Sequence, residues 1–190
     1  RLREELDYGL EARHTKLYGL IFKDDAIIRV PQIERELSTG RLLTMSWLDG
    51  RPLLSHKEDS LEDRNRIAQA MFRAWWHPFS HAGVIHGDPH LGNYTVFSDG
   101  GRPAGINLLD YGCIRTFPAG FVEGVIDLYK GLLANDQPRI VAAYERWGFK
   151  GLTKELIEAM TMWARFIYGP LLDDRERTID NATGVLRSWR

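Results

Sequence analysis

Two short polar motifs, each directly after a brief apolar run, constrain this chain more than any other feature of its sequence. The first runs from His86 to Asn93 and reads His-Gly-Asp-Pro-His-Leu-Gly-Asn; the second runs from Leu108 to Gly112 and reads Leu-Leu-Asp-Tyr-Gly. Carboxylate and amide oxygens are hard ligands that magnesium prefers, usually together with phosphate oxygens and water. The motifs therefore predict that Asp88, Asn93 and Asp110 hold magnesium and a triphosphate.

The spacing of these residues resembles that of the catalytic and metal-binding loops of protein kinases. In those loops an aspartate orients the attacking hydroxyl or water, an asparagine five residues later takes a metal ion, and a second aspartate precedes an aromatic residue and a glycine. On this pattern we predict that Asp88 is the catalytic carboxylate and that Asn93 and Asp110 are metal ligands. Tyr111 replaces the usual phenylalanine and should keep its packing role. Either motif alone is more often a turn, but their order and placement together favour phosphoryl chemistry.

The composition excludes several classes of partner and of site. The 25 Lys and Arg residues balance 26 Asp and Glu residues, so no basic footprint points to nucleic acid, and we predict no nucleic-acid partner. A single cysteine, Cys113, excludes an internal disulfide and a multi-cysteine zinc site, and we interpret it as a small buried filler. No apolar run approaches the ~18 residues of a transmembrane helix, and no signal peptide is visible. The chain enters a helical pattern at Arg1, so we interpret it as a piece of a longer protein.

The apolar periodicity predicts an α+β fold. One amphipathic helix is predicted over Arg1–Phe22. Two short strands, Ile27–Leu37 and Arg41–Leu48, are predicted to form a hairpin, with Pro31 at a strand start or edge.

The second part of the chain is predicted to carry short strands and then helices. A capping box at Ser60 predicts a long helix to about Trp76, which Pro78 should kink or end. Further strands are predicted at Val84–His86, Tyr94–Phe97 and Ile106–Leu109, and further helices at about 118–134, 138–147, 153–168 and 176–189.

The two loop motifs, taken together, resemble the UbiB/AarF family of atypical kinase-like proteins. Two more stretches carry the resemblance: residues 5–12, which look like a helix of that family, and residues 43–50, which look like the strand that enters the hinge beside the adenine. The resemblance extends from Arg1 to about Gly148. It implies a protein-kinase-like fold in which residues 1–50 form the end of the N-lobe and residues 51–190 form the helical C-lobe.

The resemblance also implies site residues, cofactors and partners. Glu11 would pair with a strand lysine that contacts the phosphates, and Asn93, Met45, Trp47 and Leu48 would contact the bound nucleotide. The implied cofactors are Mg²⁺ and ATP, with ADP as product. The implied role is in ubiquinone or other prenyl-lipid biosynthesis, with a lipid or prenyl-quinone precursor, quinone-biosynthesis proteins and a membrane surface as partners. The implied location is the cytoplasm, the cytoplasmic face of the inner membrane or an organelle equivalent.

Several departures from the family pattern qualify this resemblance. No glycine- or alanine-rich phosphate loop, strand lysine or Lys-x-Gly-Gln element occurs in the 190 residues. In the family these would precede Arg1, so we expect Glu11 to lack its lysine here and the chain alone to bind ATP weakly. His14 stands where the family often has asparagine. Gly87 stands where protein kinases carry arginine, so an activation-loop phosphate would lack that partner.

Three interpretations of function remain open from the sequence. The first is a magnesium-dependent ATP-binding enzyme of the UbiB type, either an ATPase or a kinase for a small or lipid-linked molecule. The second is a phosphotransferase of the aminoglycoside or choline kinase type, which shares the His-Gly-Asp motif, the asparagine and the later aspartate. The residues between Asp88 and Asn93 favour the first over the second. The third is a nucleotide-sensing scaffold without turnover.

Overall fold

The computed structural model describes residues 7–173 and residue 175, and the chain divides into two compact units. The first unit is Arg1–Pro118 and the second is Ala119–Arg190. All of the residues predicted for the site belong to the first unit. The predicted division at residue 50 lies inside that unit and stays a prediction.

The first unit opens with helix α1, Tyr8–Ile21. Asp7 caps it, because its Oδ1 atom accepts a hydrogen bond of 3.0 Å from the N–H of Leu10. The helix predicted over Arg1–Phe22 is thereby confirmed for residues 8–21, and its first six residues lie outside the described part. The elements after α1 are strand β1 (Ile28–Arg29), a 3₁₀ helix (Arg35–Leu37), strand β2 (Arg51–Pro52) and a 3₁₀ helix (Leu53–His56).

The predicted hairpin forms only in part: the strand predicted over Ile27–Leu37 is reduced to Ile28–Arg29, and the prediction of a strand over Arg41–Leu48 is wrong, because only isolated bridges form there. Two isolated antiparallel bridges, Ile33 with Met45 and Thr39 with Leu42, join its two segments. The first strand ends at Arg29, two residues before Pro31, which has no N–H to donate to a ladder. Instead, β1 pairs in parallel with a strand that lies far from it in the sequence.

Helix α2, Leu61–Ala82, is longer than predicted. Ser60 caps it as expected, since its Oγ atom accepts from the N–H of Asp63 at 3.1 Å. The predicted end near Trp76 is wrong: the helix continues through Pro78 and ends at Gly83, which has a φ of 65°. Ile67, Ala70, Ala74 and Pro78 are all buried and lie three or four residues apart, so Pro78 belongs to the stripe that packs against the core. This burial offsets the proline cost of about 3 kcal/mol.

Four strands follow in the first unit, and their pairing determines where the loops lie. They are β3 (Val84–His86), β4 (Tyr94–Asp99), β5 (Arg102–Leu108) and β6 (Ile114–Thr116). One sheet has the order β1-β5-β4-β2, and the other consists of β3 and β6. β4 pairs antiparallel with β5, and β3 pairs antiparallel with β6. The predicted strands are therefore confirmed, although β4 and β5 are each longer than expected.

Gly105 allows β1 to join the sheet. The N–H of Ile106 donates to the carbonyl oxygen of Ile27 at 2.9 Å, so the two backbones lie close together. A Cβ atom at Gly105 would lie 2.2 Å from that same oxygen. The approach therefore requires glycine at this position. Residues of both helices and of the strands form the hydrophobic core of the unit. Its most buried members are Tyr18, Ala70, Ile106 and Tyr111.

The second unit is helical, as predicted. It contains α3 (Ala119–Ala134), α4 (Gln137–Arg146) and α5 (Lys154–Leu172). Its own core is formed by Leu128, Leu132, Ile140, Ala143, Tyr144 and Ala164. The helix predicted at 176–189 lies outside the described part. In the part that the structure describes, no helix is both long and apolar enough to span a membrane.

Candidate functional site

The pairing of the strands brings the two predicted loops together. The 87–93 loop connects β3 to β4, and the 109–113 loop connects β5 to β6. His86 faces Ile114 in one ladder, and Tyr94 faces Leu108 in the other. Each loop therefore starts in one ladder and ends in the other. Because both ladders hold the same two chain segments, the loops must lie side by side.

Three hydrogen bonds join the loops directly. The Nε2 atom of buried His86 donates to the carbonyl oxygen of Asp110. The N–H of Gly87 donates to the carbonyl oxygen of Cys113 at 2.8 Å, and the N–H of Leu109 donates to that of Asn93 at 3.0 Å. His86 also accepts at Nδ1 from the N–H of Asp88, at 3.4 Å. His86 therefore anchors its own loop to the second loop by hydrogen bonds at both ring nitrogens.

The Asp88 carboxylate is held by its own loop. Its Oδ1 atom accepts from the N–H of His90 at 3.1 Å, and its Oδ2 atom accepts from the Nδ2 atom of Asn93 at 3.0 Å. The side-chain NH₂ group of Asn93 donates to Asp88, so the side-chain Oδ1 atom of Asn93 is the atom left to bind a cation. The structure thus brings the predicted catalytic residue into contact with one of the two predicted metal ligands.

Asp110 is oriented by a bond within the second loop. Its Oδ1 atom accepts from the N–H of Gly112 at 2.9 Å. Among residues 7–173 and 175, no three His, Cys, Asp or Glu side chains are grouped so that they could hold a metal ion. A cation here would have Asp110 and Asn93 as protein ligands, with phosphate oxygens and water for the rest. This is a donor set that suits magnesium better than a transition metal.

Tyr111 packs beneath the loops, as predicted for the aromatic residue of the motif. It is completely buried, and its hydroxyl donates to the carbonyl oxygen of Leu108 at 3.0 Å. Its ring contacts those of Tyr18 and His86, with centroid distances of 5.3 Å and 6.0 Å. Burial raises the pKa of Tyr111 well above its ordinary value, so the ring stays neutral. The two loops therefore pack against a cluster of buried aromatic rings.

Helix α1 contacts the second loop through two side chains. The Nδ1 atom of His14 donates to the carbonyl oxygen of Tyr111 at 3.0 Å, and the N–H of Tyr111 donates to the Glu11 carboxylate. Burial raises the pKa of Glu11, the Asp110 carboxylate raises it further, and the bond from Tyr111 and the charge of His14 lower it. Glu11 therefore lies beside Asp110, in a place where a cation would be favourable.

Replacing Glu11 with glutamine is expected to stabilise the chain at pH 7. A carboxyl with a raised folded-state pKa favours its neutral form in the fold, so its ionisation lowers the free energy of unfolding as the pH rises from about 4.5. Glutamine keeps the acceptor for Tyr111 without the charge. We therefore expect the Glu11→Gln variant to have a higher melting temperature than the wild-type chain at pH 7.

The measurement is thermal unfolding of residues 1–190 between pH 4 and pH 7, with Glu145→Gln on an exposed helix face as the control. The difference between Glu11→Gln and the wild-type chain should shrink as the pH falls toward 4, because Glu11 is then increasingly protonated in both the folded and the unfolded state. A variant that is less stable at pH 7 would show instead that the Glu11 carboxylate has a cationic partner within the chain.

The residues predicted to contact the adenine lie on a different segment. Met45 and Leu48 are half-buried, whereas Trp47 is 85% exposed and donates from its indole N–H to Asp49 at 2.9 Å. Their contacts with a nucleotide stay predictions.

Asn107 anchors this segment to the sheet. It is fully buried, and its Nδ2 atom donates to the carbonyl oxygen of Asp49 at 3.1 Å and to Thr95 at 2.8 Å. Gly50 packs closely here, because a Cβ atom would lie 2.6 Å from the Thr95 hydroxyl. The hinge-like segment is thereby fixed three residues before Asp110.

His14 and Asn107 are the two contact residues that sequence reasoning missed. Each had a signal that could have found it. His14 lies three residues after Glu11 and so on the same face of the helix. Asn107 is a polar residue between Ile106 and Leu108, which are both buried, and a buried amide N–H group needs an acceptor.

Comparison with known proteins gives the context for this site. Residues 1–144 match the ABC1 atypical kinase-like domain. The chain is 30% identical to the protein ACTIVITY OF BC1 COMPLEX KINASE 1, chloroplastic, of Arabidopsis thaliana, over 78% of the chain and 22% of that protein. It is 29% identical to the atypical kinase COQ8, mitochondrial, of Saccharomyces cerevisiae, over 64% of the chain and 24% of that protein. The chain therefore spans about a quarter or less of these relatives.

A solved structure supports the fold. The Rv3197–erythromycin complex from Mycobacterium tuberculosis superposes with a TM-score of 0.67 and 19% identity, over 92% of the chain and 48% of that protein. At this identity the likeness concerns the fold alone, which is mixed α+β and kinase-like. The domain match covers more than half of the 190 residues, so the chain belongs to the ABC1 atypical kinase-like family, the family that its two loop motifs predicted.

Proposed function

We propose that the protein is a magnesium-dependent ATP-binding enzyme, either an ATPase or a kinase for a small or lipid-linked molecule. The observation that supports the proposal is the set of hydrogen bonds that join the loop of Asp88 and Asn93 to the loop of Asp110. Membership of an atypical kinase family supports it. The same membership favours this function over a phosphotransferase of the aminoglycoside or choline kinase type.

Each of these residues has a distinct part in the proposed mechanism. A magnesium ion held at this site would supply positive charge to offset the negative charge that develops on the phosphate during transfer. Asn93 and Asp110 would hold it through their side-chain oxygens. The Asp88 carboxylate, fixed by the N–H of His90 and the amide of Asn93, would orient the attacking hydroxyl or water and accept its proton. His86 would keep the two loops at a constant distance.

The wider role is also a proposal. We propose ubiquinone or another prenyl-lipid pathway, with a lipid or prenyl-quinone precursor as acceptor and a membrane surface or other proteins of the pathway as partners. Support comes from family membership and from relatives whose names place them in chloroplasts and mitochondria. The lysine that pairs with Glu11 would come from another part of the protein.

A magnesium-dependent thermal shift tests the proposed function. In the full-length protein, ATP with Mg²⁺ is expected to raise the melting temperature by a few degrees, as a ligand at about 100 times its Kd does. The Asp110→Asn variant should lose the magnesium-dependent part of the shift, because it loses the charge of a metal ligand. Asp99→Asn, an exposed carboxylate at the end of β4, is the matched control. A shift that is independent of Mg²⁺, or that Asp110→Asn leaves unchanged, would contradict the proposal.

A further inference from the structure

The peptide group between Tyr111 and Gly112 is bound at both of its polar atoms. Its carbonyl oxygen accepts from the Nδ1 atom of His14 at 3.0 Å. Its N–H, which belongs to Gly112, donates to the Oδ1 atom of Asp110 at 2.9 Å. No peptide bond is cis in the part of the chain that the structure describes, so the two groups point in opposite directions from one rigid plane. Fixing the carbonyl oxygen therefore also fixes the N–H that orients Asp110.

The local sequence does not fix this plane by itself. Gly112 has no side chain and can adopt positive as well as negative φ angles. The peptide group before it can therefore rotate more freely than most. On its other side, the carbonyl oxygen of Asp110 is bound by His86. Only the bond from His14, among the contacts described, holds the carbonyl oxygen of Tyr111.

We propose that His14 is a positioning residue for Asp110 and acts through the Tyr111–Gly112 peptide group. This inference rests on the proposed function, in which Asp110 binds magnesium. His14 belongs to α1 and lies 97 residues before Tyr111, so it couples the placement of the helix to the direction of the carboxylate. When α1 is in place, the N–H of this peptide group points toward Asp110 and holds the Oδ1 atom of its carboxylate. The carboxylate of Asp110 then faces the metal position.

Two variants separate positioning from simple packing. His14→Leu keeps a side chain of similar size but removes the donor. His14→Asn keeps an N–H donor on a shorter side chain. In the full-length protein, His14→Leu is expected to raise the Mg²⁺ concentration for half-maximal nucleotide binding by about tenfold, the effect of one lost hydrogen bond. The affinity for nucleotide without metal should change less than about twofold, and His14→Asn should recover most of the magnesium response. His81→Leu on α2 is the control.

A second measurement needs no ligand. The amide hydrogen of Gly112 is bound to Asp110, so its exchange with solvent, followed by NMR, should be slow in the wild-type protein and about tenfold faster in His14→Leu. His14→Asn should again restore it. Unchanged exchange in His14→Leu would overturn the inference, as would a fall in melting temperature with no change in exchange or in magnesium requirement. If the wild-type protein binds no magnesium nucleotide, the proposed function fails, and the exchange rates still decide whether His14 orients the peptide group.

Discussion

Replacing Asp88 with asparagine is expected to lower ATP turnover by about 10²–10⁴-fold, the usual contribution of a positioned general base. The two oxygens of Asp88 accept from the N–H of His90 and from the amide of Asn93. Asparagine fills the same space but carries no negative charge, and its own NH₂ group would face one of these two donors. The variant loses the proton acceptor and gains a mismatched pair, which costs about 1 kcal/mol of stability. The protein should therefore remain folded.

The experiment compares ATP hydrolysis by the full-length wild-type protein, Asp88→Asn and Asp99→Asn, with Mg²⁺ and membranes present. Nucleotide binding should persist in Asp88→Asn, since Asn93 and Asp110 are unchanged. Turnover by Asp88→Asn at the wild-type rate would show that Asp88 is not the catalytic carboxylate. A wild-type protein that binds the magnesium nucleotide but has no turnover under any condition would favour the scaffold interpretation.

The site could be predicted from the sequence because its essential features are local. The spacing from Asp88 to Asn93 is fixed by one short loop, and Asp110 follows a strand that the apolar pattern revealed. Placing the two loops together requires the pairing of four short strands, of which β6 (Ile114–Thr116) was not predicted. The family resemblance carried the same information by another route, and the comparison confirmed it. The roles of these residues remain predictions that the experiments above test.

The parts that the sequence did not reveal depend on tertiary contacts. Pro78 lies inside a helix because its face of α2 is buried in the core. The helix propensity of the local sequence does not depend on that burial and so could not predict it. β1 pairs with β5 rather than within the predicted hairpin, because Ile28 lies opposite Ile106, which is far from it in the sequence. The sequence showed His14 as a departure from the family pattern and placed it on the helix face of Glu11, but it did not show the partner of His14. Its contact with Tyr111 spans 97 residues, and no periodicity reports such a distance.

Replacing Gly87 with alanine is expected to lower the free energy of unfolding by about 2–3 kcal/mol, in the range of overpacked sites. The N–H of Gly87 donates to the carbonyl oxygen of Cys113 at 2.8 Å, and a Cβ atom at Gly87 would lie 2.4 Å from that same oxygen. The obstacle is backbone, which cannot turn aside as a flexible side chain can. The added methyl group must therefore push the 109–113 loop away from the 87–93 loop. Turnover and the magnesium-dependent shift should fall together with stability.

Urea unfolding of Gly87→Ala beside Gly40→Ala measures this effect. Gly40 lies in a turn of the same unit, and a Cβ atom there would meet nothing within 4 Å. It reports the general effect of exchanging glycine for alanine on the unfolded chain. A Gly87→Ala variant within about 0.5 kcal/mol of Gly40→Ala would show that the loops can separate at little cost. The expected result also accounts for glycine where protein kinases carry arginine: any Cβ atom at position 87 would conflict with the Cys113 carbonyl. An arginine here would require a wider gap between the loops than the bond from Gly87 allows.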